Sequence, residues 1–176
     1  MPYLLNRMPF LEDPGEVVIR GERVRIRAIQ IILWVTLSLR RVRSTNPLAI
    51  PFPAILDTGH THTFSIHGRH LTEWAGLQPD NLPVLATIRE RDRRILLRAA
   101  NIWVHPNERC VRDKLTDGPP HFVDADGGIA IYPGNDFPRL PILGLRAIAE
   151  NNFVLKVDGS KRQATLQTPI RWWPFT

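Results

Sequence analysis

A short apolar run that ends in an acid and a glycine constrains this chain more than any other feature. Pro53-Ala54-Ile55-Leu56 leads directly into Asp57-Thr58-Gly59, and Thr61-His62-Thr63-Phe64-Ser65-Ile66 follows. Such a run reads as a buried strand that delivers a carboxylate to a sharp turn. A carboxylate there is costly unless it is hydrogen-bonded or paired. Gly59 lets the backbone turn and brings amides close to the acid. Thr58 adds a hydroxyl that can tie the turn down. Asp-x-Gly is also an ordinary turn sequence, so the apolar strand in front is what gives the triplet meaning.

The rest of the chain points to β-structure. Sixteen prolines in 176 residues argue against long helices. Val24-Arg25-Ile26-Arg27-Ala28 and Val35-Thr36-Leu37-Ser38-Leu39 alternate with period two, as half-buried strands do. Between them residues 29–35 are nearly all apolar, which predicts a strand covered on both faces. Residues 1–15, with Pro2, Pro9 and Pro14-Gly15, read as an irregular arm, and Glu16-Val17-Val18-Ile19 as a short strand turning at Gly21. The Asp57 strand is expected to begin near Leu48. His70 to Ala75 suggests a short helix ending at Gly76, with Trp74 in the core. Val84–Arg89 and Ile95–Val104 flank Glu90-Arg91-Asp92-Arg93-Arg94, which predicts a hairpin with a charged, glycine-free tip. Residues 105–128 look like a loop insertion, and residues 128–132 like one more strand.

A second apolar segment ending in glycine, Leu140-Pro141-Ile142-Leu143-Gly144, precedes a helix-like stretch, 145–152, closed by Asn151-Asn152. Then come Phe153–Val157, an Asp158-Gly159 turn and Gln163–Gln167, a hairpin signal.

Taken together, Asp57-Thr58-Gly59 and Ile142-Leu143-Gly144 make residues 24–168 resemble the retropepsin-like aspartic proteases. In that family a strand delivers Asp-Thr/Ser-Gly. Two apolar residues and a glycine later run behind the catalytic loop, and a short helix and a last hairpin follow. The resemblance implies a mainly β closed barrel with one or two short helices, preceded by an arm and short strand at 1–23 and followed by an aromatic tail at 169–176. It implies an endopeptidase with Asp57 as the catalytic acid and Thr58, Gly59 and His60 in the active-site loop. Ile142, Leu143 and Gly144 would support that loop without chemistry. The 84–104 hairpin would be the flap over a peptide or protein substrate. Two positions depart from the family pattern: the flap tip has no glycine, and His60 stands where Ala or Ser is usual.

Aspartic proteolysis needs two carboxylates sharing a proton, and the chain has one Asp-Thr-Gly. Asp124-Ala125-Asp126-Gly127-Gly128 is the nearest second candidate, but it has the composition of a turn. A homodimer with Asp57 from each copy at the twofold axis supplies the pair from one sequence. Two other readings compete. One is a dimeric binding module without catalysis, since fold does not fix function. The other is a metal hydrolase using His60, His62, His67 and His70, with His60 and His62 on one face of a strand and Asp57 as a further ligand. No Cys pair or second His-x-His supports a closed metal site, so neither metal nor cofactor is expected.

Net charge is +6 with a pI near 10.4. Arginines scattered along strands read as a solvated face, and no RNA-binding aromatic motif or helix-turn-helix signal argues for nucleic acid. Cys110 is the single cysteine, so no intrachain disulfide can form, which favours a reducing compartment. Residues 1–10 lack the basic start and apolar core of a signal peptide. The most apolar stretch, 28–39, is shorter than the roughly 20 residues a membrane helix needs. A cytoplasmic location without membrane contact is the resulting expectation.

Overall fold

The computed structural model describes residues 3–42, 44, 48–133 and 140–169. It is mainly β, with fourteen strands and two short helices among these residues. The strands are β1 (Tyr3–Pro9), β2 (Gly15–Ile19), β3 (Glu22–Ile26), β4 (Ile31–Leu39), β5 (Phe52–Asp57), β6 (Phe64–His67), β7 (Val84–Glu90), β8 (Arg93–Arg98), β9 (Ala100–His105), β10 (His121–Val123), β11 (Ile129–Tyr132), β12 (Ile142–Gly144), β13 (Val154–Asp158) and β14 (Gln163–Gln167). Helix α1 (Gly68–Glu73) follows β6, and α2 (Leu145–Glu150) follows β12.

Nine strands form one sheet in the order β10-β9-β4-β5-β12-β6-β11-β8-β7. β2 and β3 make a separate hairpin, and β1-β14-β13 a three-stranded sheet. The expected closed barrel is not what the ladders describe. β10 and β7 end the nine-stranded sheet, and no ladder joins them among the described residues. The last hairpin, β13–β14, falls where the sequence places it, and α2 covers Leu145–Glu150 of the expected 145–152, but α1 begins two residues before the expected His70 and ends at Glu73, with Trp74 as its C-cap.

The main core draws on both sides of the chain. Ile32, Leu33 and Val35 of β4, Phe52 and Ala54 of β5, Phe64 and Ile66 of β6, Leu71 of α1 and Leu143 of β12 are fully buried within it. Trp74 is buried, packs at 6.1 Å from Phe52 and stacks at 3.7 Å on the His70 ring.

Several elements differ from the sequence expectation. Residues 3–9 are not an irregular arm but strand β1, which pairs with β14. Adjacent Leu4 and Leu5 are both fully buried, with Met8. Two register shifts and a left-handed Arg7 (φ 50°) allow this, and they erase the period-two signal. The apolar stretch 29–35 is not one buried strand. Ile29 is 70% exposed at φ 60°, in a turn held by Arg27 N–H to Gln30 Oε1 (2.8 Å) and by Ile29 N–H to the Leu11 carbonyl (2.8 Å). The Asp57 strand starts at Phe52 rather than near Leu48. The run 95–104 breaks at buried Ala99, whose N–H bonds the Pro83 carbonyl at 2.8 Å, so β8 and β9 join different parts of the sheet. The 105–128 segment is ordered by buried Asn107 and contributes β10. The aromatic tail residues Trp172, Trp173 and Phe175 lie outside the described residues. No helix among the described residues is long and apolar enough to cross a membrane.

Candidate active site

β12 is inserted between β5 and β6. It runs parallel to β5 and antiparallel to β6. The register pairs Ile142 with Ile55, Leu143 with Leu56 and Gly144 with Asp57. The two segments singled out in the sequence therefore lie side by side, with the second glycine opposite the acid. Leu143 is fully buried and Ile142 nearly so.

Asp57 ends β5 and is exposed, as are Thr58 and Gly59 in the turn that follows. The Asp57 Oδ1 accepts the Gly59 N–H at 2.8 Å, and the Asp57 carbonyl accepts the His60 N–H at 3.2 Å. The turn thus presents the carboxylate to solvent while holding one of its oxygens. Gly144 fixes the loop from behind. Its N–H bonds the Thr63 carbonyl at 3.1 Å, and the Leu145 N–H bonds the His60 carbonyl at 3.2 Å. A Cβ on Gly144 would overlap the His62 carbonyl oxygen and stand 2.7 Å from that of His60. The requirement for glycine at 144 is one of space, since its φ of −91° suits any residue.

His60 and His62 lie in the loop between β5 and β6, not on one face of a strand. Their rings meet edge-on at 5.3 Å. His60 Nε2 is 2.5 Å from the Ser65 hydroxyl. Burial first, and then the neighbouring His62, lower the His60 pKa, against the pull of Asp57 and Glu90. Burial also lowers that of His62, with Glu90 opposing and Arg146 reinforcing. The ring beside the acid is therefore biased toward its neutral form. His67 ends β6, and its ring meets that of His70 on α1 at 5.7 Å. The four histidines split into two pairs. Among the described residues no group of three or more His, Cys, Asp or Glu side chains is placed to hold a metal ion.

The β7–β8 hairpin turns at Arg91-Asp92, and Arg91 takes the left-handed conformation (φ 55°) that glycine would otherwise supply. Ile88 and Leu97 of this hairpin pack against a small second core of Ile95, Ala130 and Tyr132. The Tyr132 hydroxyl donates to Glu90 Oε2 at 2.8 Å. The Glu90 charge is felt by both His60 and His62, so the hairpin end stands within electrostatic reach of the acid loop. Glu90, Tyr132 and Ser65 were not legible as site residues. Only the parallel pairing of β6 with β11, which sets Ser65 opposite Ala130 and Tyr132 opposite His67, brings them there.

Asp126 forms a surface ion pair with Arg40 at 2.8 Å, and Gly128 N–H closes a turn on the Ala125 carbonyl at 2.7 Å. The Asp124 N–H is held by Asn151 Oδ1 at 2.8 Å. Burial, then the Asp126 charge, raise the Asp124 pKa. Cys110 is exposed. Compared with protein-family models, curated proteins and solved structures, the chain matches none.

Proposed function

We propose that the protein is a retropepsin-like aspartic endopeptidase that works as a homodimer, with Asp57 of each copy forming the acid pair. The register that sets Gly144 against Asp57 carries this reading. It explains why an apolar pair plus glycine recurs so far from the acid in the sequence. In the dimer two carboxylates lie about 3 Å apart and share one proton. The ionised one takes a proton from water, which attacks the scissile carbonyl, and the protonated one donates to that carbonyl's oxygen. Thr58 would hydrogen-bond across the axis, and the β7–β8 hairpin would close over the peptide. An exposed carboxylate at the end of β5 suits a site completed by a second copy.

The test is cleavage of a peptide library by the wild type and Asp57→Asn, with sedimentation of both. Cleavage that is lost in Asp57→Asn, blocked by a hydroxyl-bearing transition-state mimic and indifferent to chelators is the expected result. A strictly monomeric protein that still cleaves would overturn the dimer.

A dimeric binding module is the second reading, and His60 favours it. A half-buried ring tied to Ser65 directly after the triplet narrows the space beside the acid. Stoichiometric peptide binding without turnover would select it.

A further inference from the structure

Arginines that look scattered in the sequence are sorted onto one face by the β2–β3 ladder. Its register sets Glu16 opposite Arg25 and Val18 opposite Arg23, and all four are exposed. Val17, Ile19, Val24 and Ile26 alternate with them and are buried in the main core. Arg20, in the turn, and Arg27, one residue past β3, are exposed at the two ends of the same hairpin. The hairpin's second carboxylate, Glu22, is engaged elsewhere. Its Oε2 accepts from Arg69 Nη2 at 3.0 Å and from Trp74 Nε1 at 3.3 Å, which ties the hairpin to α1.

Glu16 is therefore the one carboxylate left on the outer face. It stands 4.0 Å from Arg23 with both side chains largely in solvent, so the pair is weak. Among the described residues no carboxylate pairs with Arg20, Arg25 or Arg27. The result is a row of positive charge on a ribbon whose backbone is already anchored.

We propose that the outer face of β2–β3 binds the phosphate backbone of duplex DNA. A guanidinium fork suits phosphate oxygens bidentately. Along an extended chain Arg23 to Arg27 spans about 13 Å, the axial length of about four phosphates on one DNA strand. The occupant follows from what else the face carries. A membrane surface calls for a broad apolar side to insert, and Val18 is the only apolar residue on the ladder's outer face. The centre of a protein–protein interface is depleted of charge, whereas arginines dominate here. The proposal stands apart from the peptidase reading.

Titration of full-length protein into a short fluorescent DNA duplex, read by anisotropy over about 0.05–0.2 M salt, tests it. Micromolar or weaker binding is expected, with affinity falling as roughly the third to fourth power of salt. Arg25→Gln should lower that power by about one and weaken binding about eightfold at about 0.1 M salt, the weight of one released counterion. Glu16→Gln should do the opposite and tighten binding, an effect that misfolding cannot imitate. Arg89→Gln with Arg94→Gln makes a larger charge change on the β7–β8 hairpin and should leave affinity within about twofold, as away from the binding face. An equal or greater loss there than in Arg25→Gln would show that net charge alone binds DNA, and would refute the face. So would a duplex left unbound at the lowest salt, or binding confined to vesicles of phosphatidylcholine and phosphatidylserine.

Discussion

Gly144→Ala should collapse the loop that carries Asp57, by a mechanism the geometry isolates. Gly144 has φ −91° and ψ 174°, extended values that alanine adopts freely, so no backbone strain enters. The cost is steric. The new methyl overlaps the His62 carbonyl oxygen and sits 2.7 Å from that of His60, and both are main-chain atoms that cannot swing aside like a side-chain tip. Relief requires β12 and the 60–63 loop to part. Overpacking costs about 1–3 kcal/mol. Parting also weakens Gly144 N–H to Thr63 and Leu145 N–H to His60, at about 1 kcal/mol each. A loss of about 3–5 kcal/mol is expected, a large share of the roughly 5–15 kcal/mol by which a domain is stable.

Two other glycines calibrate the experiment. Gly159→Ala meets nothing within 4 Å and should change stability by no more than about 0.5 kcal/mol. Gly59→Ala meets only its neighbour Asp57 Oδ1, at 3.3 Å, and should keep the fold while disturbing the acid. Urea unfolding followed by the fluorescence of buried Trp74 measures all three. A Gly144→Ala protein within about 1 kcal/mol of wild type, with unshifted amide signals at residues 60–63, would refute the packing argument.

Other outcomes follow from buried polar groups and strained turns. Burial lowers the His70 and His105 pKa values to about 4 from 6.5. Above 6.5 folded and unfolded chains are both neutral there. As pH falls toward 4 the unfolded chain gains protons that the fold refuses, so stability drops across that window, by about 2 kcal/mol for the 7%-exposed His70. Urea midpoints against pH should flatten in His70→Phe, and parallel slopes would refute the assignment. Asn107 is 1% exposed, accepts the Asn6 N–H at 2.8 Å and donates to the carbonyls of Asn6, Glu108 and Val111, so Asn107→Ala should cost about 2–3 kcal/mol by the same urea assay. Ile29→Asn should stabilise the fold by about 1 kcal/mol, read as a higher urea midpoint, because asparagine tolerates the left-handed φ of 60° better than a β-branched residue does.

The sequence was most readable where one physical signal acted alone. Glycine-closed apolar segments foretold β5 and β12, and the Asp158-Gly159 turn foretold the last hairpin. It was opaque where two signals cancelled. β1 was hidden because its bulge buries Leu4 and Leu5 side by side, and Pro2 and Pro9 read as breakers although Pro9 simply ends the strand. The break at Ala99 was hidden because no glycine or proline marks it and the run 95–104 stays largely apolar across it. At the site, Asp57, Thr58, Gly59 and Gly144 were legible because each has a local chemical reason to be what it is. Ser65, Tyr132 and Glu90 were not, since their meaning arises only when β6 and β11 pair.

The contacts of Glu90 bear on whether a peptide could reach Asp57. The hairpin tip lacks the glycines that would make it pliable, and Arg91 supplies the turn in a strained conformation. Mobility would then come from lifting the hairpin end as a body rather than from bending its tip. The Tyr132–Glu90 bond resists that lift. A hydrogen bond to a charged group contributes about 1.5–3 kcal/mol, so breaking it alone would leave the end lifted roughly one part in ten to one in a hundred of the time. Under the peptidase reading, such a fraction would slow entry of a substrate without barring it. Exposed Glu90 can exchange Tyr132 for water as it lifts. Ile88 and Ile95 stay with the small core of Ala130 and Tyr132, and Leu96–Arg98 of β8 stay paired to β11. The moving part is therefore the paired hairpin end, Arg89–Arg94, hinged on the part of β8 that the sheet holds in place. Hydrogen exchange faster at residues 89–94 than at 96–98 is the expected signature of that hinge. Equal protection across the hairpin would mean that it opens as a whole or not at all.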